Sequence, residues 1–278
     1  MLGNVFSPYW ARARRGGGVA SGLDFSTFNV ALQTRGRAHW ALTERSSTSV
    51  VRSADHLSIG RSHLEQRGDD VIATIDERSA PWGTPVRGTV RLVPASRSDS
   101  RFELDPHGLH AWSPLVPSAR IEVDFTEPRL RFCGTGYLDK NEGAGPLEDT
   151  FASWSWSRLS DGRDASISYD VSLRDGSERL LSLRTRQGQL EQGEVTPSAL
   201  LPSTRFGLAR SVRSEAAHVD PPRLVRTLED GPFYARSMVE AKVGGRPAFG
   251  IHEAVSLDRF RASWVQWLLP FRMRVEAT

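Results

Sequence analysis

Two pairs of residues stand out by type and spacing. His110 and Trp112 are two apart, and so are Tyr137 and Asp139. In an extended strand, residues i and i+2 point to the same face, so each pair presents two functional side chains to one side. A carboxyl, an imidazole and a phenol can all exchange protons, so the chemistry on offer is general acid–base chemistry. Tyr137-Leu-Asp139 closes a β-type segment that begins near Arg129, and the turn-like Asn141–Gly145 follows. That puts Asp139 at a strand mouth, where barrels commonly open to ligand. The same spacing also fits a surface aspartate beside two half-buried aromatics, and spacing alone favours that plainer reading.

Trp154 and Trp156 form a third pair, with Ser155 and Ser157 on the opposite face. They suit either a core or the wall of a long apolar cavity. Glu229, Asp230, His252 and Glu253 could add acid or base groups, although such residues usually face solvent or pair with arginine. Arginine is abundant, at 34 of the 36 basic residues, Lys140 and Lys242 being the exceptions. No His-Glu-x-x-His or Gly-x-Ser-x-Gly occurs, so zinc-hydrolase and serine-hydrolase elbows have no support. Cys133 is the sole cysteine, which excludes an internal disulfide and a multi-cysteine metal site.

The elements that must carry these residues read as strands. Short alternating runs such as Phe28–Leu32, His39–Thr43, Val86–Val93, Ala119–Val123, Ala165–Leu173 and Phe233–Ala241 are separated by Gly, Pro, Asp and Ser. Helical periodicity emerges over Ser256–Leu269, where Pro270 is expected to stop the helix. A chain of 278 residues allows two domains, and the two prolines in Ser113–Ser118 place their boundary there, giving units 1–115 and 116–278. Arg12, Arg14 and Arg15 read as a basic arm, and Gly16–Gly18 as a flexible turn rather than a phosphate loop. A net charge of +3 is too small to argue for nucleic acid. No signal peptide and no run of ~18 apolar residues is evident, so the chain is expected to be cytoplasmic, or peripheral on the inner (photosynthetic) membrane.

Longer stretches carry a resemblance. Phe6-Ser-Pro-Tyr9, Trp40-Ala-Leu-Thr-Glu-Arg45, Gly136-Tyr-Leu-Asp139, Arg226-Thr-Leu-Glu-Asp230, Pro232-Phe-Tyr-Ala-Arg-Ser237 and Leu268-Leu-Pro-Phe-Arg-Met273 resemble the carotenoid 1,2-hydratase (hydroxyneurosporene synthase) family of phototrophic bacteria. The similarity runs from residue 3 to residue 273. Departures are Trp10, where tyrosine is expected, Phe25-Ser26, and Ser155, where aspartate is expected.

The resemblance implies a mostly β fold with two lipocalin-like antiparallel barrel or sandwich domains and a short C-terminal helix. It implies a catalytic set of Asp139, His110, Tyr137 and Trp112, with the aspartate protonating a terminal alkene and no cofactor or metal. Trp154, Trp156 and Tyr234 are expected to contact the substrate, an acyclic carotenoid such as neurosporene or lycopene. Relatives of the family include terpene cyclases and Diels–Alderases, so a general likeness would not settle the reaction. Such a substrate lives in membranes, and Trp264–Arg274 suits either an interfacial anchor or a helix packed over a barrel mouth.

Overall fold

The computed structural model describes residues 1–16, 21–34 and 36–276. It is built mainly from antiparallel strands, and the chain divides into two compact units. One comprises Met1–Pro94, Arg120–Gly136 and Gln266–Thr278; the other comprises Ala95–Ala119 and Tyr137–Val265. The expected boundary at Ser113–Ser118 lies inside the long strand His110–Glu127. Proline's fixed φ is compatible with extended backbone, so Pro114 and Pro117 sit within a strand instead of a linker. His110, Trp112, Tyr137 and Asp139 consequently all belong to the second unit.

In the first unit, Ser26–Gln33 and Ala38–Arg45 pair antiparallel, and Arg274–Val275 adds in parallel to the second of them. A larger sheet runs in the order Arg129–Gly143, His110–Glu127, Pro85–Pro94, Asp70–Arg78, Ser62–Arg67, His56–Ile59, Val50–Arg52. Its first two strands contribute residues to both units. The alternation Ile121-Glu-Val123-Asp-Phe125 works as its period demands. Val123 and Phe125 join Leu32, Ala41, Ile75 and Val86 in a core, with Ile121 packed against it.

The second unit carries a seven-stranded antiparallel sheet, ordered Gln189–Gln192, Glu178–Arg186, Ala165–Leu173, Phe151–Ser160, Arg246–Ser256, Tyr234–Val243, Arg223–Asp230. Its register decides which residues meet. Trp156 lies opposite Tyr169 on one side and Glu253 on the other, Trp154 opposite Val171 and Val255. Arg236 pairs with Glu253, and Tyr234 with Val255. Cross-strand partners share a face, so Trp154, Trp156, Arg158, Tyr169, Glu253, Tyr234 and Arg236 all point the same way. The opposite face buries Leu159, Val239, Ala241, Val243 and Ala248 beneath Leu201 and Val212 of the hairpin Ser198–Leu201/Arg210–Arg213.

Two local expectations change. The basic arm is a helix, Pro8–Arg15, because Ser7 accepts the Trp10 N–H and Pro8 occupies the first turn, where its missing N–H costs nothing. Gly16 caps that helix, while Gly17 and Gly18 lie outside the described residues. At the other end, the single helix expected over Ser256–Leu269 is two short ones, Leu257–Arg261 and Ser263–Leu268, broken where Ala262 is extended. Pro270 sits inside a following 3-10 turn, Leu269–Arg272, early in which a proline is tolerated.

Candidate active site

Asp139 is the centre of the constellation. The indole Nε1 of Trp112 donates to its Oδ2 at 2.8 Å, and the Tyr137 hydroxyl donates to the same oxygen at 3.2 Å. Both same-face pairs therefore contribute to one carboxyl. Burial pushes the Asp139 carboxyl upward from the usual carboxylate range, and the charge of Glu253 adds to that push. The Trp112 and Tyr137 hydrogen bonds pull the other way without cancelling it. Tyr137 is driven far above the usual phenol range, first by burial and then by the Asp139 charge. It stays a hydroxyl donor.

Trp112 is wholly buried, at 0% exposure. Its ring lies 5.7 Å from Phe102 and edge-on to Tyr169 at 5.4 Å. Phe102 comes from a two-residue strand paired to the start of His110–Glu127. Tyr137 is half-buried, with Trp156 at 5.3 Å and the Arg158 guanidinium at 5.8 Å from its ring. Arg158 donates through Nε to the Pro117 carbonyl at 2.8 Å, and burial depresses its pKa.

His110 plays a different part from its neighbours. Its Nδ1 meets Asp105 Oδ2 at 3.3 Å and its Nε2 meets the Gly145 carbonyl at 3.1 Å. Asp105 also accepts the backbone N–H groups of His107, Leu109 and His110. Burial pushes Asp105 up, but those donors together hold it below its ordinary value. A Cβ at Gly143 would sit 2.8 Å from the His110 ring, so glycine lets the end of the Asp139 strand close on the imidazole. Thus His110 ties the turn after Asp139 to the start of the Trp112 strand.

Of the residues expected to contact substrate, Trp156 lies against Tyr137, whereas Trp154 packs edge-on to Phe151 at 6.3 Å, and Phe151 touches His110 at 4.7 Å. Tyr234 stands under the Arg236 guanidinium at 5.7 Å and hydrogen-bonds Glu253. Arg236 binds Glu253 Oε1 through Nε at 2.9 Å and Nη2 at 2.8 Å. Asp230 is engaged elsewhere, capping the Arg205 N–H at 2.8 Å. Tyr169 and Arg158 were not singled out by type and spacing. The alternation Ile167, Tyr169, Val171 could have placed the first of them on the inner face.

The other face of the sheet carries its own polar group. His252 is fully buried, with Nε2 3.1 Å from Ser155 Oγ, and burial drops its pKa to about 4. A cleft of about 520 Å3 lies on this side, lined by Ser155, Asp170, Arg210, Ser211, Arg213 and Arg259 among others. It does not include Asp139 or its donors. Among the described residues, no group of three or more His, Cys, Asp or Glu side chains could hold a metal ion, and no helix is long and apolar enough to cross a membrane.

A family profile described as carotenoid hydratase CrtC matches residues 1–277. The acyclic carotenoid 1,2-hydratase of Thiocapsa roseopersicina is 42% identical over 275 residues, covering 98% of this chain and 67% of its own length. That of Cereibacter sphaeroides is 34% identical, covering 98% of this chain and 95% of its own length. In fold, the crystal structure of an AttH protein from Nitrosomonas europaea aligns with a TM-score of 0.59 at 15% identity, over 82% of this chain and 80% of that one. The antiparallel, lipocalin-like β fold is thus observed as expected. The chain is an enzyme that belongs to the carotenoid hydratase family.

Proposed function

We propose that the enzyme adds water across the terminal C1=C2 bond of an acyclic carotenoid such as neurosporene or lycopene, giving a 1-hydroxy carotenoid without a cofactor. One observation carries the mechanism: a carboxyl raised by burial, Asp139, is held by two neutral donors, the Trp112 indole N–H and the Tyr137 hydroxyl. An acid for an unactivated alkene must be strong yet still protonated near neutral pH, and desolvation meets that demand. Trp112 and Tyr137 both occupy Oδ2, which leaves Oδ1 to carry the proton delivered to C2. Protonation there puts the charge on tertiary C1, the better-stabilised cation.

The half-buried faces of Tyr137 and Trp156 are placed to stabilise that cation, at about 0.5–2 kcal/mol each. Trp112, fully enclosed, acts in this scheme through its N–H on Asp139 and is a positioning residue. His110 positions Asp139 through the Gly143–Gly145 turn. Trp154 and Tyr234 extend the aromatic lining for the polyene.

Delivery from a membrane follows from the substrate's apolarity. Trp264, Trp267 and Phe271 are 51%, 69% and 57% exposed, with Arg261, Arg272 and Arg274 close in sequence. Aromatics with arginines suit the lipid interface, so this segment is proposed to dock peripherally on the membrane.

The test is incubation of purified protein with lycopene or neurosporene in detergent, without cofactor, followed by mass analysis. Gain of one water is expected. An isomer of unchanged mass would indicate a cyclase, and recovered substrate a carrier; either result overturns the proposal.

A further inference from the structure

Adding water needs two proton transfers, one to the alkene carbon and one away from the attacking oxygen. Asp139 covers the first. His110 is poorly placed for the second, since both its ring nitrogens are engaged by Asp105 and Gly145.

Glu253 is better placed. It is the cross-strand neighbour of Trp156, on the face that carries Tyr169 and Arg236. The Trp156 ring lies 5.3 Å from Tyr137, and Tyr169, the other neighbour of Trp156, lies 5.4 Å from Trp112. Both donors of Asp139 are therefore within one or two aromatic side chains of Glu253. Arg236 fixes Oε1 of Glu253 with two N–H groups, so the carboxylate is held in place. Its charge is felt at Tyr169, Tyr234 and Asp139, raising each.

The same face also holds donors without partners. Trp156 Nε1 is buried and has no hydrogen-bond partner, and neither has Arg158 Nη2, two residues further along. Buried N–H groups are rarely left so, and a water molecule is the usual guest where several polar groups converge.

We infer, building on the hydration reading above, that Glu253, held by Arg236, is the base that takes the proton from the water attacking C1, with Trp156 Nε1 donating to that water's oxygen. The steps balance. The C1=C2 π pair forms the new C2–H bond with the Asp139 proton, leaving a carboxylate. A water lone pair forms C1–O, and the released proton moves to the Glu253 carboxylate. Both carboxyls then reset by passing that proton back to Asp139 through solvent.

The experiment compares wild type, Glu253→Gln and Asp139→Asn with lycopene in deuterium oxide. It measures both the hydrated product and deuterium in recovered lycopene. Without its base, Glu253→Gln is expected to lose hydration by ~10²-fold or more. Protonation still occurs in that variant, and the cation returns a C2 proton to Asp139, so recovered lycopene gains deuterium. Asp139→Asn should show neither.

Near-normal hydration by Glu253→Gln, or loss of hydration and deuterium uptake together, overturns the inference. Normal hydration by Asp139→Asn instead overturns the acid assignment, and no hydration by wild type overturns both. Circular dichroism checks folding. If Glu253→Gln does not fold, Glu253→Asp serves: a kcat at least ~10-fold down with unchanged KM supports the base, and a wild-type kcat refutes it.

Discussion

Trp112 Nε1 and Asp139 Oδ2 are joined at 2.8 Å although 27 residues separate them in the chain. The indole is fully buried and the carboxyl half-buried, so the bond holds the acid at the edge of an aromatic core. A neutral donor of this kind orients a carboxyl without supplying the charge that would force it to ionise. An arginine in the same place would keep Asp139 as a carboxylate and remove its proton.

Asp139→Asn keeps shape and can still accept from Trp112, but it has no transferable proton. Turnover should fall by at least ~10²-fold with carotenoid binding largely kept. The stability change has a definite sign. Because the folded carboxyl is raised, its contribution is present below the unfolded pKa and is lost as pH rises through the folded one. Urea melts should therefore show the variant gaining on wild type as pH increases over that window. A constant difference at all pH values would show that the carboxyl is not raised.

Trp112→Phe and Trp112→Ala separate the indole N–H from the ring's bulk. The alanine variant empties a buried site and should lose about 3–5 kcal/mol of stability. The phenylalanine variant should fold, yet lose the hydrogen bond that favours the ionised acid, so the basic limb of its activity profile moves to higher pH. An unmoved limb would show that the N–H does not tune Asp139.

His252 gives a second pH signature, independent of catalysis. Its pKa is about 4 when folded, against an ordinary 6.5, because burial disfavours the cation. The neutral ring's contribution is present above about 6.5 and is lost as pH falls toward about 4, on the order of 3 kcal/mol in all. His252→Gln should flatten the acid limb of stability measured by urea melts. An unchanged limb would place the acid sensitivity elsewhere.

Trp267→Ser combined with Leu268→Ser tests membrane docking. Trp267 is 69% exposed, so its loss should barely move the melting temperature while reducing sedimentation with anionic liposomes. Early melting with full sedimentation would make the segment structural.

Much of this was legible because strands write their faces into the sequence with a period of two. Trp154/Trp156 against Ser155/Ser157, and Val123 with Phe125, land where alternation puts them. Alternation says nothing about which strand lies beside which. The meeting of Trp112 with Asp139, of Trp156 with Glu253, and of His110 with Gly145 depends on long-range register. Prolines misled at Ser113–Ser118 because an extended chain accepts their φ, and the unit boundaries follow packing instead. Ser7-Pro8 was a cap-and-start signal for a helix that charge alone had disguised as an arm.

Protonation of C2 by Asp139 and capture of C1 by water are tested most directly by isotopic labelling of one turnover product. Purified protein is given lycopene in deuterium oxide enriched in heavy oxygen, and the product is located by mass spectrometry and carbon NMR. The expected product carries one heavy oxygen at C1 and one non-exchangeable deuterium at C2, and Asp139→Asn forms none of it. Oxygen gained without deuterium at C2, or the same labelled product from Asp139→Asn, would contradict the mechanism.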